Sequence, residues 1–232
     1  MNYLKAAIEK VPDVLPFLTG RAWWLGLEVE EAKTYNYYLR VLKKDINRLY
    51  GGEINTNLFV DNLAGYVERQ MRRAWNEGMR LNGLDPKDMT AEWEAIYQEL
   101  VVSEYEYIER LAGEIVQAKL DGKPVDQFIS RVELWANRYT DVVNRSLAAT
   151  KPDQLLRWEY GATEEHCTDC AARAGTAKTG KEWEADILPQ SHDLECGGWR
   201  CDCRLVSGIT GMLFALEEQR IEMLFAPAER NQ

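Results

Sequence analysis

The chain has 232 residues, 46% of them hydrophobic and 10% aromatic, with a formal net charge of -10 and a pI near 4.9. Such a composition can bury a core, which argues against extended disorder. The acidic balance disfavours nonspecific nucleic-acid binding, which needs clustered Lys and Arg, and no apolar run reaches the roughly 18 residues of a membrane span. The first residues, MNYLKAAIEKVPDVLPFL, carry charges and prolines within their apolar stretch and make a poor secretory signal. The expectation is synthesis in a reducing cytosol, where clustered cysteines favour metal over disulfides. After a loop-like start with Pro12, Pro16 and Gly20, helix formers run from Glu28 to Tyr50, and Gly51-Gly52 stops them. From Asn55 to Leu81, Phe59, Leu63, Val67, Met71, Trp75 and Met79 recur every fourth residue along one helix face. Glu68, Arg69, Arg72, Arg73 and Glu77 occupy the other side.

A third helix starts near Thr90 and Trp93. It carries Tyr97, Leu100, Val101, Ile108, Leu111, Ile115 and Leu120 at helical spacing, up to Asp121-Gly122. A fourth follows Pro124, with Phe128, Val132, Trp135, Tyr139 and Val142 on one face, and fades near Thr150 to Pro152. Helices of roughly 25 to 30 residues are about 40 Å long, and short loops between them predict an antiparallel bundle or a helical hairpin. The simple reading of the Trp and Tyr stripes is core.

The texture changes at Gln154. LLRWEYGA is strand-like, and polar turns then run through Gly175, Gly180, Pro189, Gly197 and Gly198 to about Thr210. This span has little periodicity, and a module that small usually needs a staple. A last amphipathic helix is predicted from Met212 to Phe225. The fold class is therefore mainly α: a long-helix bundle or hairpin over residues 1–153, a small zinc-stapled α+β module over 154–210, and a C-terminal helix in 211–232.

All five cysteines fall in the module. Cys167 and Cys170 form a C-x2-C, a spacing that turns two thiolates toward one ion. Cys196, Cys201 and Cys203 follow after about 25 to 35 residues, a separation used by structural zinc modules. Four sulfurs fill a tetrahedron and leave no place for water, so the predicted ion is structural Zn2+. Cys167, Cys170, Cys201 and Cys203 are the candidate ligands, with Cys196 as the alternative fourth. Cys201 and Cys203 share a side if their segment is extended, whereas Cys196 and Cys201 would be closed by Gly197-Gly198. His192 is a weaker candidate, and His166 reads as a neighbour of the first pair. The competing reading is thiols that stay free, or that pair as disulfides outside the cytosol.

Catalysis finds little support. A treble-clef nuclease needs a metal-bound water and a general-base His, yet the chain has only two histidines and neither has that setting. No Ser-His-Asp arrangement, phosphate-binding Gly loop or H-E-x-x-H is present. The module carries six basic residues against ten acidic ones, a poor balance for reading DNA.

The run RWEYGATEEHCTDCAARAG, then Trp183 and Pro189, then LECGGWRCDCRL, resembles the C-terminal module of phage minor head proteins, the head-morphogenesis family similar to protein F of phage Mu. That pattern has a Trp-containing strand, a C-x2-C, a small or apolar residue and a Gly. A Pro-containing loop and a terminal C-x-C followed by an apolar residue come next. Trp158, Cys167, Cys170, Gly175, Pro189, Cys201, Cys203 and Leu205 occupy those places. The commoner ending has His-Pro shortly before the C-x-C. Here His192 is followed by an inserted LECGGWR, which adds the Cys196 sulfur to the choice of third and fourth ligands. The resemblance covers about 50 residues. It implies a structural minor head protein, not an enzyme, present in few copies at the portal vertex of the virion and in the host cytoplasm during assembly. Its implied work is head assembly or DNA packaging and delivery. Its implied partners are the portal or major capsid protein, with self-association, and no membrane. The alternative is a zinc-dependent nuclease or nucleic-acid-binding protein acting during packaging.

Overall fold

The computed structural model describes residues 37–161, 165–198, 201 and 203–207. The expected loop-like start and the helix from Met212 to Phe225 lie outside the described residues. Helix α1 covers residues 37–51 and ends at Gly52, whose φ of 82° suits glycine. Helix α2, Thr56–Leu81, is capped by the Asn55 side chain, which accepts from Leu58 N at 2.8 Å. All six members of its fourfold stripe are buried. A 3-10 turn, Pro86–Asp88, leads to α3, Ala91–Leu120, whose Thr90 cap accepts from Trp93 N. Helix α4, Asp126–Thr150, completes the helical body.

Helix α2 packs on both α3 and α4. Gly78 makes the second contact close, because a Cβ there would lie 2.5 Å from Ser146 Cβ on α4. The Ser146 hydroxyl donates to Trp75 O at 2.7 Å across the same seam. Against α3, Trp75 meets Tyr97 edge to face at 6.0 Å, and Tyr97 OH donates to Glu68 O. The polar side of α2 is not simply solvated. Arg72 holds Glu94 of α3 through two hydrogen bonds and lies 3.6 Å above the Tyr97 ring.

The structure departs from the expected inward stripes at five places, two of them Trp93 and Leu100, which are partly buried against the core. Leu120 is 75% exposed. It follows buried Ala118 by two residues, which is about 200° round the helix and away from the core. Trp135 and Tyr139 are only partly buried, because their polar tips reach carboxylates: Trp135 Nε1 donates to Glu104 at 2.7 Å, and Tyr139 OH donates to Glu77. Around Glu104 runs a charged ladder. Arg138 bonds Glu104 at 2.9 Å and Asp141 at 2.7 Å, and Arg145 reaches Asp141 at 3.2 Å. Glu104 and Asp141 are buried, and each is neutralised by these neighbours.

Beyond α4 comes a three-stranded antiparallel sheet in the order β2-β1-β3. Strand β1 is Leu155–Glu159, β2 is Ala177–Thr179 and β3 is Arg204–Ser207. Trp158 pairs with Leu205 and Leu156 with Ser207, so the buried residues of both strands share one face. Two short helices, α5 (Thr168–Arg173) and α6 (Gly180–Asp186), flank β2. The sheet rests on α4. A Cβ on Gly180 would lie 2.4 Å from Ala148 O, and Leu205 N donates to buried Asn144 Oδ1 at 2.8 Å. The module also has an apolar interior that the sequence reading did not expect: Trp158 and Trp183 are fully buried with centroids 5.4 Å apart, and Trp183 Nε1 donates to Leu156 O.

Two substitutions separate core from seam. Trp75→Ala should cost about 3–5 kcal/mol by denaturant unfolding. Trp135→Phe keeps most of the ring and deletes the bond to Glu104, so a loss of about 1–3 kcal/mol is expected. An unchanged unfolding midpoint in Trp75→Ala would place that ring outside the core.

Candidate metal centre

Three chain segments deliver the five cysteines. Cys167 is the N-cap residue of α5 and Cys170 lies one turn later, so both sulfurs emerge on one side of that helix. Cys196 stands just before Gly197 and Gly198, whose φ values of 65° and 74° reverse the chain. A Cβ at position 198 would lie 2.2 Å from Gln190 O, so glycine is required there. Cys201 and Cys203 precede β3 and extend its inward alternation upstream: residues 201, 203, 205 and 207 are all buried.

The sulfurs gather as two trios. Cys167, Cys170 and Cys196 lie within 4.8 Å of one another, as do Cys170, Cys201 and Cys203. The second trio is fully buried, whereas Cys167 and Cys196 are half-buried. Cys170 and Cys201 are 3.4 Å apart, and Cys203 N donates to Cys201 Sγ at 3.4 Å. All five thiols are free rather than paired as disulfides. Bonds of about 2.3 Å to zinc put tetrahedral sulfurs about 3.8 Å apart, so these spacings suit a bound cation. The cysteine cluster could hold a metal ion.

Electrostatics of the cluster support the same chemistry. The Cys203 thiol is brought down to about 5, mainly by the hydrogen bond from Cys201, with the Gly161 backbone, Cys170 and Trp158 helping against burial. The indole N–H of Trp158 is buried without a conventional partner and is one of the groups that favour the Cys203 thiolate. Burial also works against the Cys167 thiolate, but hydrogen bonds from Cys170 and Cys196 outweigh it and lower that group. Cys170 is pushed up by burial, Cys201 by its bond with Cys203 and by burial, and Cys196 by burial. A divalent cation would favour the thiolate form of every one of these thiols and displace their protons.

A clamp that sequence reasoning missed sets the two loops side by side. Glu195 Oε2 accepts from Thr168 N at 2.9 Å and from Thr168 Oγ1 at 2.5 Å, and Glu195 N donates to Asp169 Oδ2 at 2.8 Å. The Thr168 bonds hold the Glu195 carboxyl below its ordinary range. These three residues adjoin Cys167 and Cys196, so the clamp fixes the separation of those sulfurs. In the sequence Asp169 and Glu195 read only as charge balance, and Thr168 carried no reading. The signal that could have found them is the acidic residue next to each cysteine pair.

Both histidines are accounted for. His166 stacks on Tyr160 with centroids 3.9 Å apart, and its Nδ1 lies 3.8 Å from Cys203 Sγ. His192 is largely exposed, lies 3.0 Å from the Asp193 carboxylate and belongs to neither sulfur trio. A cavity of about 560 Å³ opens beside the cluster, lined by Glu165, His166, Cys167, Glu195 and Cys196 among others. No helix among the described residues is long and apolar enough to cross a membrane. No protein-family model, curated protein or solved structure matches the chain.

Cys170→Ser removes the sulfur common to both trios. The expected outcome is a protease-sensitive segment between residues 160 and 203, with far-UV circular dichroism close to wild type because the helical body does not use these thiols. Unchanged protease sensitivity would mean that the cluster does not hold the module together.

Proposed function

We propose that this chain is a structural protein whose helical body docks on neighbours in an assembly, and whose C-terminal module is held by thiolate-bound zinc. The observation that carries the reading is the meeting of five cysteines from three chain segments on a sheet seated against α4. Thiolate sets of this kind suit Zn2+ in structural sites, where the ion adds folding energy. The resemblance of the Trp158, C-x2-C and C-x-C pattern to phage minor head proteins gives the assembly: the head of a tailed phage, with portal or major capsid protein as the docking partner. The role would be head assembly or DNA packaging and delivery, without catalysis. The acidic balance and the polar outer helix faces agree with protein contacts better than with contacts to phosphate.

The test is co-purification with the portal protein and detection of the chain in mature particles. Both are expected, as is zinc in the purified protein by elemental mass spectrometry. Recovery only as a free protein that nicks plasmid DNA with added divalent metal would overturn the docking role in favour of a packaging nuclease.

A further inference from the structure

We infer that the five cysteines form two adjoining metal sites that share the Cys170 sulfur. This rests on the zinc reading above and goes beyond its single ion. One tetrahedral ion needs four donors that all face one another, at an edge of about 3.8 Å for sulfur. Among the described residues no four of the five sulfurs lie within 4.8 Å of each other, whereas two sets of three do, with Cys170 in both. A thiolate has lone pairs enough to bond two cations, so Cys170 can bridge.

The inner site is Cys170, Cys201 and Cys203, all buried. His166 Nδ1 lies 3.8 Å from Cys203 Sγ but does not come within 4.8 Å of all three sulfurs, so His166 is a neighbour of Cys203 and the fourth place of the inner site is left to water. Stacking on Tyr160 holds the His166 ring in place. The outer site is Cys167, Cys170 and Cys196. Its fourth place faces the cavity where Glu165 and Glu195 lie, which supplies both an entry path and an oxygen or water donor.

Cys196 is built into this site. Its loop is reversed by two glycines with positive φ and tied to the start of α5 by Glu195. A spare thiol would not need its loop fixed against Cys167. Charge agrees: on binding, the five thiols release their protons to solvent, and two divalent ions nearly balance the five thiolates. A single ion would leave an excess of three negative charges, or of two with one thiol protonated.

The test is metal stoichiometry on the full chain, by native and elemental mass spectrometry and by cobalt(II) titration of the metal-free protein. Two ions per chain are expected, with thiolate-to-cobalt absorption rising to a break at two equivalents. Cys196→Ser should hold one ion and break at one equivalent. If that variant fails to fold, alkylation of the native wild-type holoprotein decides instead: all five thiols should be protected. One ion per chain, with Cys196 alone alkylated, would overturn the two-site inference and leave the single-zinc staple standing. No bound ion at all would remove both.

Discussion

The Cys170 sulfur lies within 4.8 Å of the four other thiols of the chain, and those thiols come from the start of α5, the Gly197-Gly198 loop and the entry to β3. Thiols crowded so closely repel once ionised, and burial penalises every thiolate. Hydrogen bonds and shared protons only move that cost from one sulfur to the next. A bound cation would remove it. In the zinc reading, the loops of the module are arranged around a charge that the side chains alone do not supply. The Glu195–Thr168 clamp and the hydrogen bond that the Gln190 side chain donates to Cys201 O serve that arrangement, since each ties down a segment that carries a cysteine.

Helix α4 joins this centre to the rest of the molecule. Its packing against α2 uses Ser146 in the space left by Gly78, and its other side receives Gly180 and the backbone of Leu205. Close backbone approach at both seams makes α4 intolerant of side-chain growth, because interiors are packed without slack. The Glu104–Arg138–Asp141–Arg145 ladder adds directional contacts along the same helix. Ion pairs of this kind contribute little net stability, but losing one partner leaves a buried charge unpaired. The ladder thus fixes how α3 and α4 register more than it fixes how strongly they bind.

The helical body was legible because its signal is local and repeated. Six apolar residues at fourfold spacing in α2, and caps at Asn55 and Thr90, define faces and ends with no tertiary information. The misses come where that periodicity meets a neighbour: Trp135 and Tyr139 turn to carboxylates on other helices, and Leu120 lies off the stripe. The module was legible in its chemistry and less so in its form. Strands of three and four residues are too short to show a period, so β2 and β3 were hidden, and with them the buried pair Trp158 and Trp183. The cysteine types and their confinement to one segment were plain, but the division into trios depends on residues 26 or more apart, such as Asp169 with Glu195.

The apolar interior of the module changes what the ion has to do. If the segment had no core, metal would have to supply all of its order. With Leu156, Trp158, Trp183 and Leu205 packed on α4, the sheet already has a hydrophobic anchor. The anchor extends into the segment before Cys196, where Leu188 and Leu194 are also buried. In the zinc reading, burial holds the sheet and Leu188 and Leu194, and thiolates would hold the segment ends that carry cysteines. In the proposed docking role, this gives a rigid body of long helices and a surface of loops whose order depends on metal supply.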